Sequence, residues 1–432
     1  MLSKRTLNSK GNILLKNGRI YDPFLLINEK SDLLISDGFI EEIKKDIKIK
    51  KDFDVIDCEG KIITNGFVDI HAHFREPGFE FKETLETGST AAIHGGYTRV
   101  CTMPNTNPVI DTPELVKFII DSSIDLPIYI HPIGAITKGQ KGLELAEIGQ
   151  MIQAGAVAIS DDGLPLTNSQ LMRYALEYSK KFGIPVINHA EDCCLVNQGT
   201  MHEGDVSLNL GLVGNPDISE STMIYRDLAI ADYVGGSLHI PHVSSSKSLD
   251  VIKFFKEKGV NVSVEVTPHH LALTDKALQS YDTNAKVAPP IRSDIDRESI
   301  QNAVCSGLIN CIATDHAPHS IVDKERDFNN ASCGMIGLES AFGVTNKVLK
   351  DKKTVESIID LFTINPCKII NIEPNLIMEK KLAELNIIDP NIKWEFKPSS
   401  IKSKSSNSPF VGEKLIGKVM MTINKGFCIN NF

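Results

Sequence analysis

The sequence predicts an α/β protein with a (β/α)8 barrel of the TIM type in its middle and a β-rich domain assembled from both ends. Two observations carry this prediction. Short β-branched runs alternate with helical patterns over residues 64–372, and the flanking segments carry strand patterns alone. The chain has 432 residues, of which 42% are hydrophobic and 23% charged. This ordinary globular composition excludes a disordered, collagenous or coiled-coil protein.

The two ends of the chain predict one discontinuous domain, residues 1–63 together with 373–432. The first part alternates apolar runs with turn signals, which predicts a small antiparallel sheet. The tail repeats this pattern at 383–389 and 418–423, with a Lys/Ser-rich loop at 399–408 between them. Strand patterns on both sides of a different middle indicate that the two ends lie close together.

Eight runs rich in β-branched residues predict the strands of the barrel, which occupies residues 64–372. They span 62–70, 98–103, 128–133, 157–160, 186–188, 238–243, 262–266 and 309–314. Helix-start signals fall between them, for example at Pro113, Asn168 and Ser246. Eight strands with crossover helices over about 300 residues match a barrel. A doubly wound open sheet is the alternative, although no G-x-G-x-x-G follows any predicted strand.

Charge and cysteine content exclude several classes of function. Lys and Arg number 46 against 55 Asp and Glu, a formal charge of −9, which argues against nucleic acid or a membrane as partner. No apolar run approaches the roughly 18 residues of a spanning helix, and residues 1–19 lack a signal-peptide core. Nine cysteines at irregular spacing, without a C-x-x-C pair, predict reduced thiols. We therefore expect a cytoplasmic protein that acts on a small molecule.

Ionisable residues concentrate at the carboxyl ends of the predicted strands, where the active sites of barrels lie. They are His71, His73, Asp161, Asp162, His189, His239, His242, His269, His270, Asp315, His316 and His319. Because these ends converge on one face, four histidines with two carboxylates predict a divalent-metal site. Zinc suits these ligands best, with manganese or cobalt as substitutes. Six ligands exceed the needs of one ion, so two ions that share a carboxylate are expected.

Taken singly, these motifs have ordinary structural explanations. A lone H-x-H on a strand is a weak signal, and Asp161-Asp162-Gly163 is typical of a turn. His94, His131 and His202 lie off the pattern, and we expect them to be structural. It is the joint placement at successive strand ends that favours a metal site.

Residues 69–78, which read DIHAHFREPG, resemble the amidohydrolase superfamily and specifically the class I dihydroorotases. The resemblance continues in order through 103–106, 160–163, 189–192, 242–244, 265–270, 313–319, 403–405 and 407–412. It implies an amidohydrolase barrel with a composite β-sandwich domain from both termini. The implied reaction is the reversible cyclisation of N-carbamoyl-L-aspartate to L-dihydroorotate in de novo pyrimidine (UMP) biosynthesis.

The resemblance also implies two Zn²⁺ ions per subunit, bridged by Asp162 and a hydroxide. The remaining ligands would be His71, His73 and Asp315 for one ion, and His189 and His242 for the other. In the implied mechanism the bridging hydroxide attacks the ring amide carbonyl. Asp315 then acts as general base and afterwards as general acid.

The same resemblance implies a set of substrate contacts. They are His73, Arg75, Asn105, Ala288, His319, Cys333 and Gly334. Of these, Arg75, Asn105 and His319 should hold the substrate carboxylate. Two positions depart from the family pattern, since the family usually has Asn at position 288 and often Phe at position 333. Ala288 offers no hydrogen-bonding side chain, so backbone groups or water would have to compensate.

Two other functions stay open at this point. An allantoinase, hydantoinase or dihydropyrimidinase would open a different cyclic amide; Arg75 and the aspartate bridge favour dihydroorotase, whereas Ala288 leaves the rival open. A non-catalytic scaffold partner of aspartate transcarbamoylase is the second alternative, but scaffolds of that kind lose zinc ligands and this chain keeps all six. An active enzyme could still associate with that transcarbamoylase, and we expect a homo-oligomer.

Overall fold

The computed structural model describes residues 12–50 and 53–431. In these ranges the strands are β1 (Ile13–Lys16), β2 (Arg19–Asp22), β3 (Ile27–Lys30), β4 (Asp32–Ser36), β5 (Phe39–Lys44), β6 (Asp54–Asp57), β7 (Ile62–Asn65), β8 (Phe67–Ala72), β9 (Tyr97–Thr102), β10 (Tyr129–Pro132), β11 (Ile159–Ser160), β12 (Val186–Ile187), β13 (Met201–His202), β14 (Gly214–Asn215), β15 (Leu238–Ile240), β16 (Val262–Val266), β17 (Cys311–Ile312), β18 (Leu385–Glu395), β19 (Lys414–Asn424) and β20 (Phe427–Asn430).

The helices follow the strands in the order that βα units require. They are α1 (Leu85–Gly95), α2 (Pro113–Ser122), α3 (Ile148–Ala154), α4 (Ser169–Lys180), α5 (Cys193–Val196), α6 (Asp205–Leu210), α7 (Ile218–Val234), α8 (Ser246–Glu257), α9 (Pro268–Ala272), α10 (Asp294–Ser306), α11 (Ile321–Lys324), α12 (Ala341–Leu349), α13 (Val355–Asp360) and α14 (Ile364–Ile370). None of these helices is both long and apolar enough to cross a membrane. The predicted absence of a signal peptide concerns residues 1–19, most of which lie outside the described ranges.

The helix starts predicted from capping signals are confirmed. Helix α2 begins at Pro113, in the position where a missing N–H costs nothing. Helix α4 is capped by Asn168, whose side chain accepts the N–H groups of Gln170 and Leu171. Helix α8 begins at Ser246, and its capping side chain is the preceding Ser245.

Parallel strands form two arcs in the middle of the chain, which confirms the predicted α/β class. One arc has the strand order β10-β9-β8, and the other has the order β11-β12-β15-β16-β17. Isolated parallel bridges connect the arcs at both ends: Gly134 pairs with Ile159, and Ala72 pairs with His316. All carboxyl ends of these strands therefore face the same side.

The first predicted barrel strand, residues 62–70, is wrong as a single element because the chain divides it into β7 and β8. Strand β7 pairs with β2 and β18, whereas β8 pairs with β9. Gly66 stands between them, and a Cβ there would lie 2.1 Å from the Thr98 side chain. The apolar pattern is unbroken across this change of sheet because the strands on both sides are buried.

The two ends of the chain meet in one six-stranded sheet of order β20-β19-β18-β7-β2-β3. A second sheet, of order β5-β4-β1-β6, comes from the amino-terminal part alone. The expected purely antiparallel pairing is wrong, because β1 with β6 and β2 with β7 are parallel pairs. Ile13, Ile35, Ile63, Ile387 and Ile423 belong to one apolar core of these segments. The domain limits 1–63, 373–432 and 64–372 stay a prediction.

Glu384 ties the composite sheet to the parallel strands. It precedes β18, and its carboxylate accepts two charge-assisted hydrogen bonds from Arg99 of β9, at 2.8 Å from Nε and 3.0 Å from Nη2. Thr98 Oγ1 donates to the same carboxylate at 2.8 Å. The Glu384 side chain is 6% exposed and that of Arg99 16%. A paired fork of this kind is strong because both groups are largely removed from water.

We expect Glu384→Ala to lower the free energy of unfolding by about 3 kcal/mol, since it leaves the Arg99 guanidinium largely buried without a counter-charge. Chemical denaturation with matched baselines would measure the loss. Glu413→Ala is the control, because Glu413 pairs with Lys347 at 3.4 Å on the surface. That variant should lose less than about 1 kcal/mol. Equal losses in the two variants would contradict the role given to Glu384.

Candidate active site

The carboxyl ends of the parallel strands bring six predicted ligands into one buried cluster. All six side chains are buried: His71, His73, Asp162, His189, His242 and Asp315. Two of them have left-handed backbone, with φ of 33° at His242 and 47° at Asp315. Such conformations cost energy in non-glycine residues, and they persist where the surrounding structure fixes a side chain for function.

Asp162 lies at the centre of the cluster. Its Oδ2 is 3.3 Å from His71 Nε2 and 3.4 Å from His73 Nε2. Its Oδ1 is 3.3 Å from His242 Nε2 and 3.7 Å from His189 Nδ1. Each carboxylate oxygen therefore faces one pair of histidines, which is the arrangement expected of a carboxylate shared by two cations.

Asp315 completes the side of the cluster that contains His71 and His73. Its Oδ1 lies 3.0 Å from His73 Nε2 and 3.6 Å from His71 Nε2. The donor atoms of these three residues lie within 4.8 Å of one another, and so do those of His71, Asp162 and His242. His71 Nε2 is buried and makes no hydrogen bond within the described chain. An orphaned imidazole nitrogen among carboxylate oxygens fits a divalent metal ion.

The charges of the cluster favour ionised carboxylates. Burial raises the pKa of Asp162, but His71, His189 and His242 outweigh it and hold that pKa well below its usual range. Burial likewise raises the pKa of Asp315. The hydrogen bond with His73 and the charges of the neighbouring histidines outweigh burial and hold that pKa well below its usual range. Both groups are therefore negative at neutral pH and available to bind cations.

Two glutamates that the sequence analysis gave no role hold the histidines from behind. Glu265 Oε1 lies 2.7 Å from His71 Nδ1, and its Oε2 lies 3.0 Å from His239 Nε2. Burial raises the pKa of Glu265, but His71 and His239 bring it down to about 2. Glu191 Oε2 lies 2.9 Å from His189 Nε2. Carboxylates in this position fix the ring orientation of ligating histidines.

Other polar residues at the strand ends have structural partners. The Asp161 carboxylate accepts the N–H groups of Ile136 at 2.9 Å and Thr137 at 3.0 Å, so it faces a turn rather than the cluster. His316 Nε2 lies 3.3 Å from a carboxylate oxygen of Glu83. Some of the ionisable residues at the strand ends therefore bind structural partners, and only a part of the predicted set meets in the cluster.

The predicted carboxylate clamp lies beside the cluster. Arg75 is 8% exposed, and its Nη2 lies 3.4 Å from His319 Nε2. The other ring nitrogen of His319, Nδ1, is 3.2 Å from Lys82 Nζ, a residue that the sequence analysis did not single out. Asn105 Oδ1 lies 2.9 Å from His73 Nδ1, which links the clamp to the ligands. Burial, with the charges of Arg75 and Lys82, lowers the pKa of His319 to about 2.

The two positions that depart from the family pattern lie on neighbouring segments. The Gly334 N–H donates to the carbonyl of Lys286 at 2.9 Å, two residues before Ala288. Gly334 is buried with φ of 129°, and a Cβ there would lie 2.7 Å from that of Ala317. Cys333 is exposed and Ala288 half-buried.

Comparison with known proteins places this chain among cyclic-amide hydrolases. A family model described as dihydro-orotase-like matches residues 60–248. Dihydroorotase from Citrifermentans bemidjiense is 41% identical, with 96% of this chain and 98% of the relative covered. Dihydroorotase from Caldicellulosiruptor saccharolyticus is 44% identical, with 96% and 97% covered.

Solved structures share the fold at lower sequence identity. L-hydantoinase (dihydropyrimidinase) from Arthrobacter aurescens superposes with a TM-score of 0.85 at 24% identity, covering 97% of this chain and 96% of that one. Dihydropyrimidinase from Brevibacillus agri gives 0.82 at 19% identity, covering 97% and 95%. At this identity the likeness concerns the fold alone.

We expect the His319 imidazole to stay neutral at pH 5, because burial and the adjacent cations lower its pKa to about 2. In the unfolded chain the ring takes up its proton near pH 6.5. This difference makes His319 lower the stability of the fold as the pH falls below about 6.5. Ring ¹⁵N chemical shifts would report the charge, with His319→Gln to assign the signal. A signal that titrates near pH 6.5 in the folded protein would refute the proposed burial between two cations.

Proposed function

Because this chain belongs to the dihydroorotase family, we propose that it is a metal-dependent hydrolase that interconverts N-carbamoyl-L-aspartate and L-dihydroorotate. The observation that carries the proposal is the buried Asp162 carboxylate shared by two pairs of histidines, with a buried arginine beside it. The reaction makes or breaks one amide C–N bond of the ring. In the cell this is a step of de novo pyrimidine (UMP) biosynthesis.

Two zinc ions per subunit suit the donor atoms of the cluster. His71, His73 and Asp315 would hold one ion, His189 and His242 the other, and Asp162 would contribute one oxygen to each. The orphaned Nε2 of His71 supports this assignment. When bound, such ions acidify a water molecule and polarise a carbonyl oxygen. Glu265 and Glu191 would keep the imidazoles in the required orientation.

Asp315 is the residue that we assign to proton transfer. Its carboxylate belongs to the cluster and is ionised at neutral pH, so an oxygen is available to take a proton from the attacking water as the ring amide opens. The proton then passes to the ring nitrogen as the C–N bond breaks. In the cyclisation direction Asp315 takes the proton from that nitrogen and returns it to the departing oxygen. His73 Nε2 lies 3.0 Å from Asp315 Oδ1, so the two side chains would be held together as ligands of the same ion.

Arg75, Asn105 and His319 would orient the substrate through its carboxylate. The guanidinium fork matches a carboxylate in two parallel hydrogen bonds, and burial makes those bonds stronger than they are in water. The fold is shared by dihydroorotases and hydantoinases and does not separate them. The arginine does favour a dihydroorotase, because it would bind the carboxylate of dihydroorotate. Ala288, Cys333 and Gly334 would lie near the substrate ring, where main-chain groups or water would take the place of the asparagine side chain that the family usually has at position 288.

The strand pairing supports a closed architecture for this site. We infer that the two arcs form one (β/α)8 barrel, because parallel bridges connect them at both ends. The barrel would comprise residues 64–372 and the composite β-sandwich domain residues 1–63 with 373–432. Association with aspartate transcarbamoylase, a homo-oligomer and a cytoplasmic location stay predictions.

Purified protein loaded with zinc should open the ring of L-dihydroorotate, and treatment with EDTA should abolish turnover, because the proposed chemistry needs an acidified water. Ultraviolet absorbance of dihydroorotate would follow the reaction, and readdition of zinc should restore it. Turnover of hydantoin or dihydrouracil without turnover of dihydroorotate would contradict the proposal and indicate a hydantoinase or dihydropyrimidinase. Metal analysis of the active protein should give two zinc ions per chain.

Asp162→Ala should remove both metal ions together, whereas Arg75→Ala should keep both and raise KM for dihydroorotate about 30-fold or more. The first change deletes the shared ligand, and the second deletes only the carboxylate fork. Metal analysis and steady-state kinetics would separate them. Arg173→Ala, which removes a surface partner of Glu177, serves as the control and should change neither quantity. An unchanged KM in Arg75→Ala would refute the carboxylate clamp.

A further inference from the structure

Asn407, in the carboxyl-terminal segment, contacts the loops that carry the proposed substrate residues. It is buried, and its Oδ1 accepts the N–H of His319 at 3.0 Å. Its Nδ2 donates to the carbonyl oxygens of Ala317 at 3.1 Å and Gly334 at 3.0 Å. Its own carbonyl accepts the N–H of Ile336 at 2.9 Å. One side chain thus connects the segment of His319 with the segment of Gly334.

The chemistry of these three partners requires an asparagine amide. One partner is a donor and two are acceptors, which matches the one oxygen and two N–H groups of the side chain. A flipped amide would face N–H against N–H and oxygen against two carbonyls. An aspartate would keep the acceptor and lose both donors. Because the amide is buried, every mismatch would leave a polar group without compensation from water.

The residues just before Asn407 fix its position from the other side. The Ser403 hydroxyl donates to the Glu83 carboxylate, and the Lys404 N–H donates to the same carboxylate at 3.1 Å. The Ser405 hydroxyl donates to the carbonyl of Lys82 at 2.8 Å. The segment 403–407 therefore runs between Lys82, whose ammonium contacts the His319 ring, and the loop that carries His319.

Other bonds would hold the two loops together without Asn407. The Ala317 N–H donates to the carbonyl of Met335 at 2.8 Å, and Lys324 Nζ donates to the carbonyl of Gly334 at 3.0 Å. The N–H of His319, by contrast, has the Asn407 side chain as its partner. Loss of the Asn407 amide would thus release the main chain of His319 while the surrounding loop pairing persists.

We propose that Asn407 is a positioning residue that sets His319, and with it Gly334, for contact with the substrate. This inference rests on the proposed function, in which both residues touch dihydroorotate. The His319 ring stands between Arg75 and Lys82, so a shift of its main chain changes the spacing of the groups that receive the substrate carboxylate. Within the described ranges, the hydrogen bonds given for Asn407 go to residues outside the proposed metal-ligand set, so the change should leave metal binding unchanged.

Asn407→Ala tests the proposal by separating KM from kcat. We expect KM for dihydroorotate to rise about tenfold, with a smaller fall in kcat and an unchanged zinc content, because the variant weakens substrate positioning. The same change made in a His319→Ala background should add little to KM, since the residue through which Asn407 acts is then absent. Asn407→Ser, which keeps a smaller polar group at the site, answers the same question if the alanine variant does not fold.

The matched control is Asn424→Ala in strand β19. Asn424 is also buried, and its Nδ2 also donates to two carbonyls, those of Thr98 at 3.3 Å and Pro127 at 2.9 Å. These partners precede the carboxyl ends of β9 and β10 and lie away from the cluster. The control should lose thermal stability to a similar degree with KM unchanged. A rise in KM that is equal in both variants, or equally large with and without His319, would overturn the positioning role.

The wild-type assay separates failure of this inference from failure of the proposed function. If wild-type protein turns over dihydroorotate and Asn407→Ala has a wild-type KM, the positioning role is wrong and the function stands. If zinc-loaded wild-type protein does not turn over dihydroorotate, the function itself is wrong. Asn407 then has no substrate carboxylate to position, and this inference is overturned with it.

Discussion

The burial of the Asp162 carboxylate among four imidazoles is the constraint on which the rest of the structure depends. A buried carboxylate is costly unless charge and hydrogen bonds compensate it, and here each oxygen faces two histidine nitrogens. The histidines in turn need acceptors behind them, which Glu265 and Glu191 supply. The cluster therefore forms a polar layer at the carboxyl ends of the strands, and within it His242 has a left-handed backbone with φ of 33°.

Much of this arrangement could be predicted, because the residue types and their positions at the strand ends both indicate a metal site. His71 and His73 stand two residues apart at a strand end, so their rings share a face wherever the strand lies. The glutamates were harder to assign. Glu265 sits in the apolar run V-S-V-E-V, and an acidic residue in such a run is itself a signal of a buried partner. Its partners, His71 and His239, become evident only when the fold brings β8 and β15 close to β16.

The parts that the sequence could not predict all depend on contacts between distant segments. The run at 62–70 reads as one strand, yet Gly66 lets the chain pass from the composite sheet to the parallel strands, where any side chain would meet Thr98. The approach of Asn407 to His319 likewise joins residues 88 positions apart. The local pattern of apolar residues predicts which residues are buried. Which distant residues they contact depends on how the whole chain folds.

The His319 ring cannot accept hydrogen bonds from both of the cations beside it. A neutral imidazole has one acceptor nitrogen, yet Arg75 Nη2 approaches one ring nitrogen at 3.4 Å and Lys82 Nζ the other at 3.2 Å. Whichever cation the ring accepts from, the other faces its N–H. The Lys82 ammonium has a second partner in the Asp323 carboxylate, whose Oδ2 lies 3.4 Å from Nζ. A ring that accepts from Lys82 therefore leaves Nη2 of the buried Arg75 without the imidazole as acceptor. In the proposed function, a substrate carboxylate would accept from Arg75 and from the imidazole N–H. A cyclic amide without a carboxylate would leave both donors unpaired, and this cost would favour an anionic ring.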